Sequence, residues 1–185
     1  MGSKPRILLH TCCAPCLIFP NKKLQSAGFE VIGFFYNPNI YPQDEYRRRK
    51  DTLLRYAAQI NVEMRSESTE NDAVFFDQAA AGSDNKPARC SACWYLRLYR
   101  TAQYAKKNAI GMFTSTLLVS PYQDIETVRA MGEKAAKESG VAFYDADFRS
   151  GYQDCVKISK QENLYRQKYC GCRKSLEESK EKKTK

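Results

Sequence analysis

Short apolar runs alternate with longer amphipathic ones along most of this chain. Residues 6–11, centred on Ile7-Leu8-Leu9, read as a buried strand, and 31–36 as a second one rich in β-branched and aromatic residues. Further strands are expected near 62–64, within 112–118 and at 141–144. Between them lie helical segments. One covers 18–27 and is closed by Gly28. Another covers 44–60, where Tyr46, Leu53, Ala57 and Ile60 fall close to one face and Arg47-Arg48-Arg49-Lys50 supply the rest of the surface. A short helix is expected at 73–81, and a long one from near Cys90 through Trp94, Leu98 and Ala102 to Lys107. The last covers 125–139 and is closed by Gly140. Residues 37–42 form a turn-rich loop in which Pro38 and Pro42 block regular structure, and 82–87 read as a polar loop. No strand is expected beyond Asp145, and the charged segment 174–185 is expected to fray.

Repeated strand–helix alternation predicts an α/β fold: a three-layer, Rossmann-like parallel sheet with helices on both faces, and a helical, cysteine-bearing C-terminal part. At 185 residues the chain is most simply one catalytic domain, 1–185, large enough to bury a core without staples. Ligands of such sheets collect beyond the carboxyl ends of the strands, and Cys12 and Cys13 lie at that end of the first one.

Charge narrows the range of partners. A formal net charge of +9 favours a polyanion, since each neutralised phosphate releases counterions, although a merely solvated basic surface has the same composition. Twelve tyrosines and one tryptophan offer stacking platforms for exposed bases, while most aromatics of any domain are core. The apolar run before His10 is too short for a signal peptide, and no stretch is long enough to span a bilayer. A cytoplasmic protein without membrane contact is therefore expected, in a reducing compartment where clustered cysteines serve metals or redox chemistry more often than bridges.

Seven of the eight cysteines fall in three tight groups: Cys12-Cys13-x-x-Cys16, Cys90-x-x-Cys93 and Cys170-x-Cys172. Four thiolates complete a zinc or iron–sulfur site, so seven point to one large metal centre or two adjacent ones. A thiolate in the first group gains from the positive helix N-terminus that follows it. Adjacent cysteines do not easily chelate one metal without strain, but they readily address two neighbouring metal atoms. Cys90 and Cys93 stand at i and i+3 and face the same way, and Gly171 permits unusual backbone between Cys170 and Cys172. The lone Cys155 reads as core.

Spacing also excludes chemistry. The C-x-x-x-C-x-x-C of radical enzymes and the C-x-x-C-x-x-C of ferredoxins are absent, and the loop after the first strand lacks the glycines that cradle phosphate. His10, the only histidine, reads either as a satisfied structural residue or as a proton donor and partner of the adjacent thiolates.

The block His10-Thr11-Cys12-Cys13-Ala14-Pro15-Cys16 resembles the opening motif of the QueH-type epoxyqueuosine reductases. The likeness continues through Tyr36-Asn37-Pro38-Asn39-Ile40, Glu45-Tyr46 and the arginines after it, Cys90-x-x-Cys93 with Leu96-Arg97-Leu98, and Ser120-Pro121-Tyr122-Gln123. It ends with Asp147-Phe148-Arg149, Gly151-Tyr152, Tyr165-Arg166-Gln167 and Tyr169-Cys170-Gly171-Cys172, leaving the tail outside.

This resemblance implies a nucleotide α-hydrolase-like fold and the last step of queuosine formation at the transfer RNA wobble position, where epoxyqueuosine loses its epoxide oxygen. It implies a [4Fe–4S] cluster with an additional mononuclear iron, no cobalamin, and an electron donor such as a ferredoxin or flavodoxin. On this reading Cys90, Cys93, Cys170 and Cys172 hold mainly the cluster, and Cys12 and Cys13 either both reach the second iron or one of them crosses to the cluster. Cys16 is either a ligand or a group behind the ligands. The catalytic candidates are then Cys12, Cys13, His10, Tyr122 and Asp147. Tyr41, Tyr46, Tyr122 and Tyr152 are stacking or proton-donor candidates, and Arg47, Arg48, Arg49, Lys50, Arg97 and Arg149 candidates for phosphate contact. Each also has a structural reading of its own. Two competing functions use the same thiols: a zinc-stabilised RNA-binding module, which leaves the Cys12-Cys13 pair unexplained, and a thiol-based transfer RNA sulfurtransferase, against which the missing phosphate loop counts.

Overall fold

A computed structural model describes residues 4–69 and 85–181. Five parallel strands form one sheet of order β3-β2-β1-β4-β5: β1 Arg6–His10, β2 Glu30–Phe35, β3 Glu63–Ser66, β4 Met112–Ser115 and β5 Ala142–Phe143. β1 is the middle strand. Its Ile7 pairs with Val31 of β2 on one side, and its His10 pairs with Ser115 of β4 on the other. A strand flanked on both edges and covered on both faces must be apolar throughout, and Ile7, Leu8 and Leu9 are fully buried.

The helices are α1 Ala14–Ser26, α2 Gln43–Gln59, α3 Lys86–Lys107, α4 Ile125–Ser139, α5 Tyr152–Gln161 and α6 Arg173–Glu181. The crossovers through α1 and α2 run outward to β3, while those through α3 and α4 run to β4 and β5 on the other side. Right-handed connections therefore put α1 and α2 on one face of the sheet and α3 and α4 on the other. α5 packs on α1, and α3 lies along α4. Chain direction across the sheet reverses between β1 and β4, so the crevice beyond their carboxyl ends is the natural place for a ligand. The expected parallel α/β sheet is the fold observed.

Several boundaries move for local reasons. α1 starts at Ala14 rather than at 18, because Pro15 sits in its first turn, where a missing N–H is harmless. α3 starts at Lys86 rather than near Cys90, because the Asn85 side chain accepts the Ala88 N–H at 3.1 Å. Gly140 closes α4 as expected, with φ 75° and its N–H on the Ala136 carbonyl at 2.8 Å. The helix expected at 73–81 lies outside the described residues.

The C-terminal segment is not frayed through Glu181. Glu178 of α6 bonds Lys86 at 3.0 Å and Arg89 at 2.7 Å, clasping the tail to the start of α3. Charge composition alone reads as a solvated tail, and the tertiary partner that orders it is distant in sequence. Glu178→Ala is expected to lower global stability by under about 1 kcal/mol, a Tm shift of at most about 4 °C, since the bridge is partly exposed. Hydrogen exchange across α6 should rise at the same time. Amides of α6 already unprotected in the parent protein would show that no such docking exists.

Candidate metal centre

The end of β1 is tied down by His10. Its Nδ1 lies 2.8 Å from Ser115 Oγ and its Nε2 lies 3.2 Å from the Tyr36 carbonyl. Both contacts are satisfied when Nε2–H donates to the carbonyl and Nδ1 accepts from the hydroxyl, whose oxygen in turn accepts the Leu117 N–H at 3.0 Å. Burial, and then the nearby Arg97 charge, push its pKa down to about 4. His10 is thus a neutral strand tie. As a proton donor it has no nitrogen free.

The chain bends at Cys12 and straightens at Cys13, which precedes α1. This bend carries both side chains to one side, so the two sulfurs lie 3.7 Å apart. Cys16 joins from the first turn of α1, and all three sulfurs fall within 4.8 Å of one another. The expectation that adjacent cysteines strain against a single metal is corrected here. An ion with metal–sulfur bonds of about 2.3 Å spaces tetrahedral sulfurs about 3.8 Å apart.

Thr116 braces this group. Its hydroxyl oxygen accepts the Cys12 N–H at 3.3 Å, and it lies 3.6 Å from Cys12 Sγ. Hydrogen bonds from the Cys13 and Cys16 thiols, with Thr116 adding to them, hold Cys12 well below the usual thiol range. Burial pushes Cys13 up, and bonding to the other two sulfurs pushes Cys16 up. Of the three sulfurs, Cys12 is therefore the one most disposed to ionise, at the head of α1. Gln167 closes the far side, its amide 3.1 Å from Cys13 Sγ and 4.0 Å from Cys16 Sγ.

A second set of cysteines comes from α3 and the C-terminal loop. Cys90 and Cys93 lie one turn apart on α3, and Cys170 and Cys172 come from the loop before α6. The charges of Cys170 and Cys172 act on both helical cysteines, and burial pushes Cys93 up to about 12. Among the described residues only the first group has three sulfurs within 4.8 Å, so the second is the more open. All eight thiols are free, Cys155 is core, and Cys170 is exposed.

The C-terminal loop is held by a residue of α2. Arg49, about 1 % exposed, donates to the carbonyls of Cys170 (2.9 Å) and Tyr169 (3.1 Å) and to Glu45 (2.8 Å). Glu45 also accepts the Tyr165 hydroxyl at 2.6 Å. Gly171 adopts φ +150°, where a Cβ would stand 2.9 Å from Asn39 Nδ2 and 3.4 Å from Arg49 Nη1. Its carbonyl accepts the Tyr41 N–H at 2.9 Å. From the 120–123 connection, Gln123 reaches to within 3.6 Å of Cys170 Sγ.

The remaining candidates are distributed unevenly. Tyr122 is 80 % exposed and stands edge-on to Tyr152 with ring centroids 5.8 Å apart, and Cys16 is among the groups acting on Tyr152. Tyr41 lies under the Arg173 guanidinium at 4.1 Å, and Arg48 lies over Tyr165 at 5.0 Å. Arg47 is exposed beside Asp44 at 3.6 Å, and Lys50 is half-buried. Tyr46 is no stacking platform, because it packs edge-on against Phe35 in the core. Arg97 is no phosphate ligand, because it is 2 % exposed and bonds the Cys93 carbonyl. Asp147 belongs to no cysteine group. Its carboxylate is held by Arg149, with contacts of 2.6–3.0 Å, and that pair also occupies Arg149.

Sequence reading gave no role to Gln167, Thr116 or Gln123, and treated Arg49 as one of a basic run. A signal for Arg49 existed. It stands three residues after Tyr46 and four before Leu53, on the buried face of α2.

The profile of the family described as "Epoxyqueuosine reductase QueH" matches residues 7–178 of the chain. The chain belongs to the QueH family. That match begins inside β1 and ends at Glu178, so it takes in all seven grouped cysteines. A QueH epoxyqueuosine reductase of Dehalococcoides mccartyi is 39% identical over 168 residues, 91% of each chain. The QueH protein of Thermotoga maritima is 38% identical over 184 residues, covering 95% of this chain and 93% of the relative. That of Haemophilus influenzae is 36% identical over 180 residues, covering 94% and 73%. No described helix is long and apolar enough to cross a membrane.

Gly171→Ala is expected to cost about 1–3 kcal/mol through backbone strain, lowering Tm by about 2–4 °C per kcal/mol in a thermal melt. An unchanged melt would mean that the Cys170–Cys172 loop is not held in the position described.

Proposed function

We propose that this QueH-family protein removes the epoxide oxygen of epoxyqueuosine in transfer RNA, leaving the cyclopentene of queuosine at the wobble position. The observation that carries this reading is the grouping of Cys12, Cys13 and Cys16 beyond the central strand of a chain that belongs to a family of epoxyqueuosine reductases. The donor sets suit two different centres. Cys12, Cys13 and Cys16 have the spacing of a single tetrahedral ion with its fourth position open. Cys90, Cys93, Cys170 and Cys172 are four soft ligands spread more widely, as a [4Fe–4S] cluster requires. We therefore assign the mononuclear iron to the first set and the cluster to the second, without cobalamin. On this assignment Cys16 serves as a ligand of the iron.

When bound, the cluster supplies electrons singly and the open-sided iron a Lewis acid toward the epoxide oxygen. Loss of that oxygen as water consumes two electrons and two protons, the electrons coming from a donor of the ferredoxin or flavodoxin class. The wobble nucleotide lies in a single-stranded loop, so it enters the crevice without melting a helix. Tyr122 is solvent-facing, with Tyr152 against its ring, and stacks the entering base. Tyr41, Arg173, Arg48 and Arg47 lie on the side of the Gly171 loop and take the RNA backbone, in the cytoplasm where transfer RNA is modified. Gln167 and Gln123 stand over sulfurs of the two groups and direct amide N–H groups into the space between base and thiolates.

The test incubates anaerobically reconstituted protein with epoxyqueuosine-containing transfer RNA and a strong reductant, and follows loss of one oxygen by nucleoside mass analysis. A brown protein that converts the nucleoside is expected. A colourless, zinc-holding protein without conversion would sink the reading. Cys12→Ala and Cys16→Ala should each abolish conversion and lower iron by about one atom per chain, with visible absorption of the cluster retained. Asp147→Asn should leave iron content unchanged, because its carboxylate serves Arg149 alone.

A further inference from the structure

Three arginines are buried near the cysteines, and they are not equivalent. Arg89 pairs with Glu178 at 2.7 Å. Arg49 is neutralised by Glu45 at 2.8 Å, and its remaining nitrogens bond two carbonyls. Arg97, one turn beyond Cys93 on α3, donates through Nε to the Cys93 carbonyl at 3.2 Å, while its Nη2 is buried without a hydrogen-bond partner. A guanidinium does not shed its proton, and a buried cation with no counter-ion is strongly disfavoured. The groups acting on Arg97 are Cys93, Cys170 and Cys12, all of them cysteines and drawn from both groups, so its charge is met only when these sulfurs are ionised or bind a metal. No carboxylate pairs with it among the described residues.

We propose that Arg97 is the resident counter-charge of the metal centre, a positioning residue that raises its reduction potential. The inference rests on the iron reading given above. One electron entering the centre adds one negative charge and moves no proton. A fixed cation in the low-dielectric interior favours that added charge over the oxidised state. Because cysteines of both groups act on the guanidinium, it also offsets the mutual repulsion of the two sets of thiolates. The orphaned Nη2 N–H is the donor left for a thiolate or cluster sulfur.

The experiment is a dithionite titration of the anaerobically reconstituted full chain, followed by electron paramagnetic resonance, with iron content measured in parallel. At the parent's midpoint, Arg97→Gln is expected to lower the ratio of reduced to oxidised centre at least tenfold, a shift of about 59 mV to more negative potential for one electron. Arg97→Lys, which keeps the charge, should stay within about threefold. A Gln variant that loads iron and titrates with the parent overturns the proposal. Where Arg97→Gln holds no iron, the Lys variant decides. Full loading supports charge compensation, and loss of iron in both assigns Arg97 a purely structural role. A parent protein that binds no iron fails the functional reading itself and removes this one with it.

Discussion

Two hydrogen bonds from one buried guanidinium hold the far end of the chain against its beginning. Arg49 of α2 reaches the carbonyls of Tyr169 and Cys170, and its charge is balanced locally by Glu45. Nothing in the sheet would bring residues beyond 165 over the crevice at β1, because the C-terminal segment contributes no strand. Gly171 makes the contact possible, since any side chain there would strike Asn39. The Tyr165 hydroxyl on Glu45 and the Gly171 carbonyl under Tyr41 N–H repeat the same attachment from either side. The loop that carries Cys170 and Cys172 is fixed to α2 through this seam.

Much of the sheet was legible because a central parallel strand must be continuously apolar, and Ile7-Leu8-Leu9 is. The glycine closing α4 was legible for a local reason too, since a left-handed residue ends a helix by its own geometry. Boundaries set by a proline in a first turn or by an Asn cap were misplaced by a few residues, their signals being weaker than the cysteine groups beside them. Tertiary properties were not legible. The roles of Tyr46 and Arg97 depend on which helix face is buried, and the order of α6 depends on Arg89 and Lys86, far away in the chain. The grouping of Cys12, Cys13 and Cys16 depends on a single bend that spacing does not announce.

Charge is distributed on a consistent plan. Around the first cysteine group the interior offers donors and cations: Thr116, Gln167, the head of α1, and the two arginines. The one histidine is kept neutral, with both nitrogens bound to the frame. The acidic groups near the crevice are already matched, Glu45 to Arg49 and Asp147 to Arg149. What is left without a paired carboxylate among the described residues is the buried Arg97. An environment of this kind selects for negative, sulfur-bound ligands and rejects hard oxygen-loving cations.

Cys170 alone among the seven is exposed. A cysteine sulfur at the surface is open to dioxygen and peroxide in a way that one in the core is not, and its oxidation proceeds from sulfenic to irreversible sulfinic acid. Among the seven grouped sulfurs, Cys170 is therefore the one that oxidants in solvent reach first, from a loop and not through the sheet.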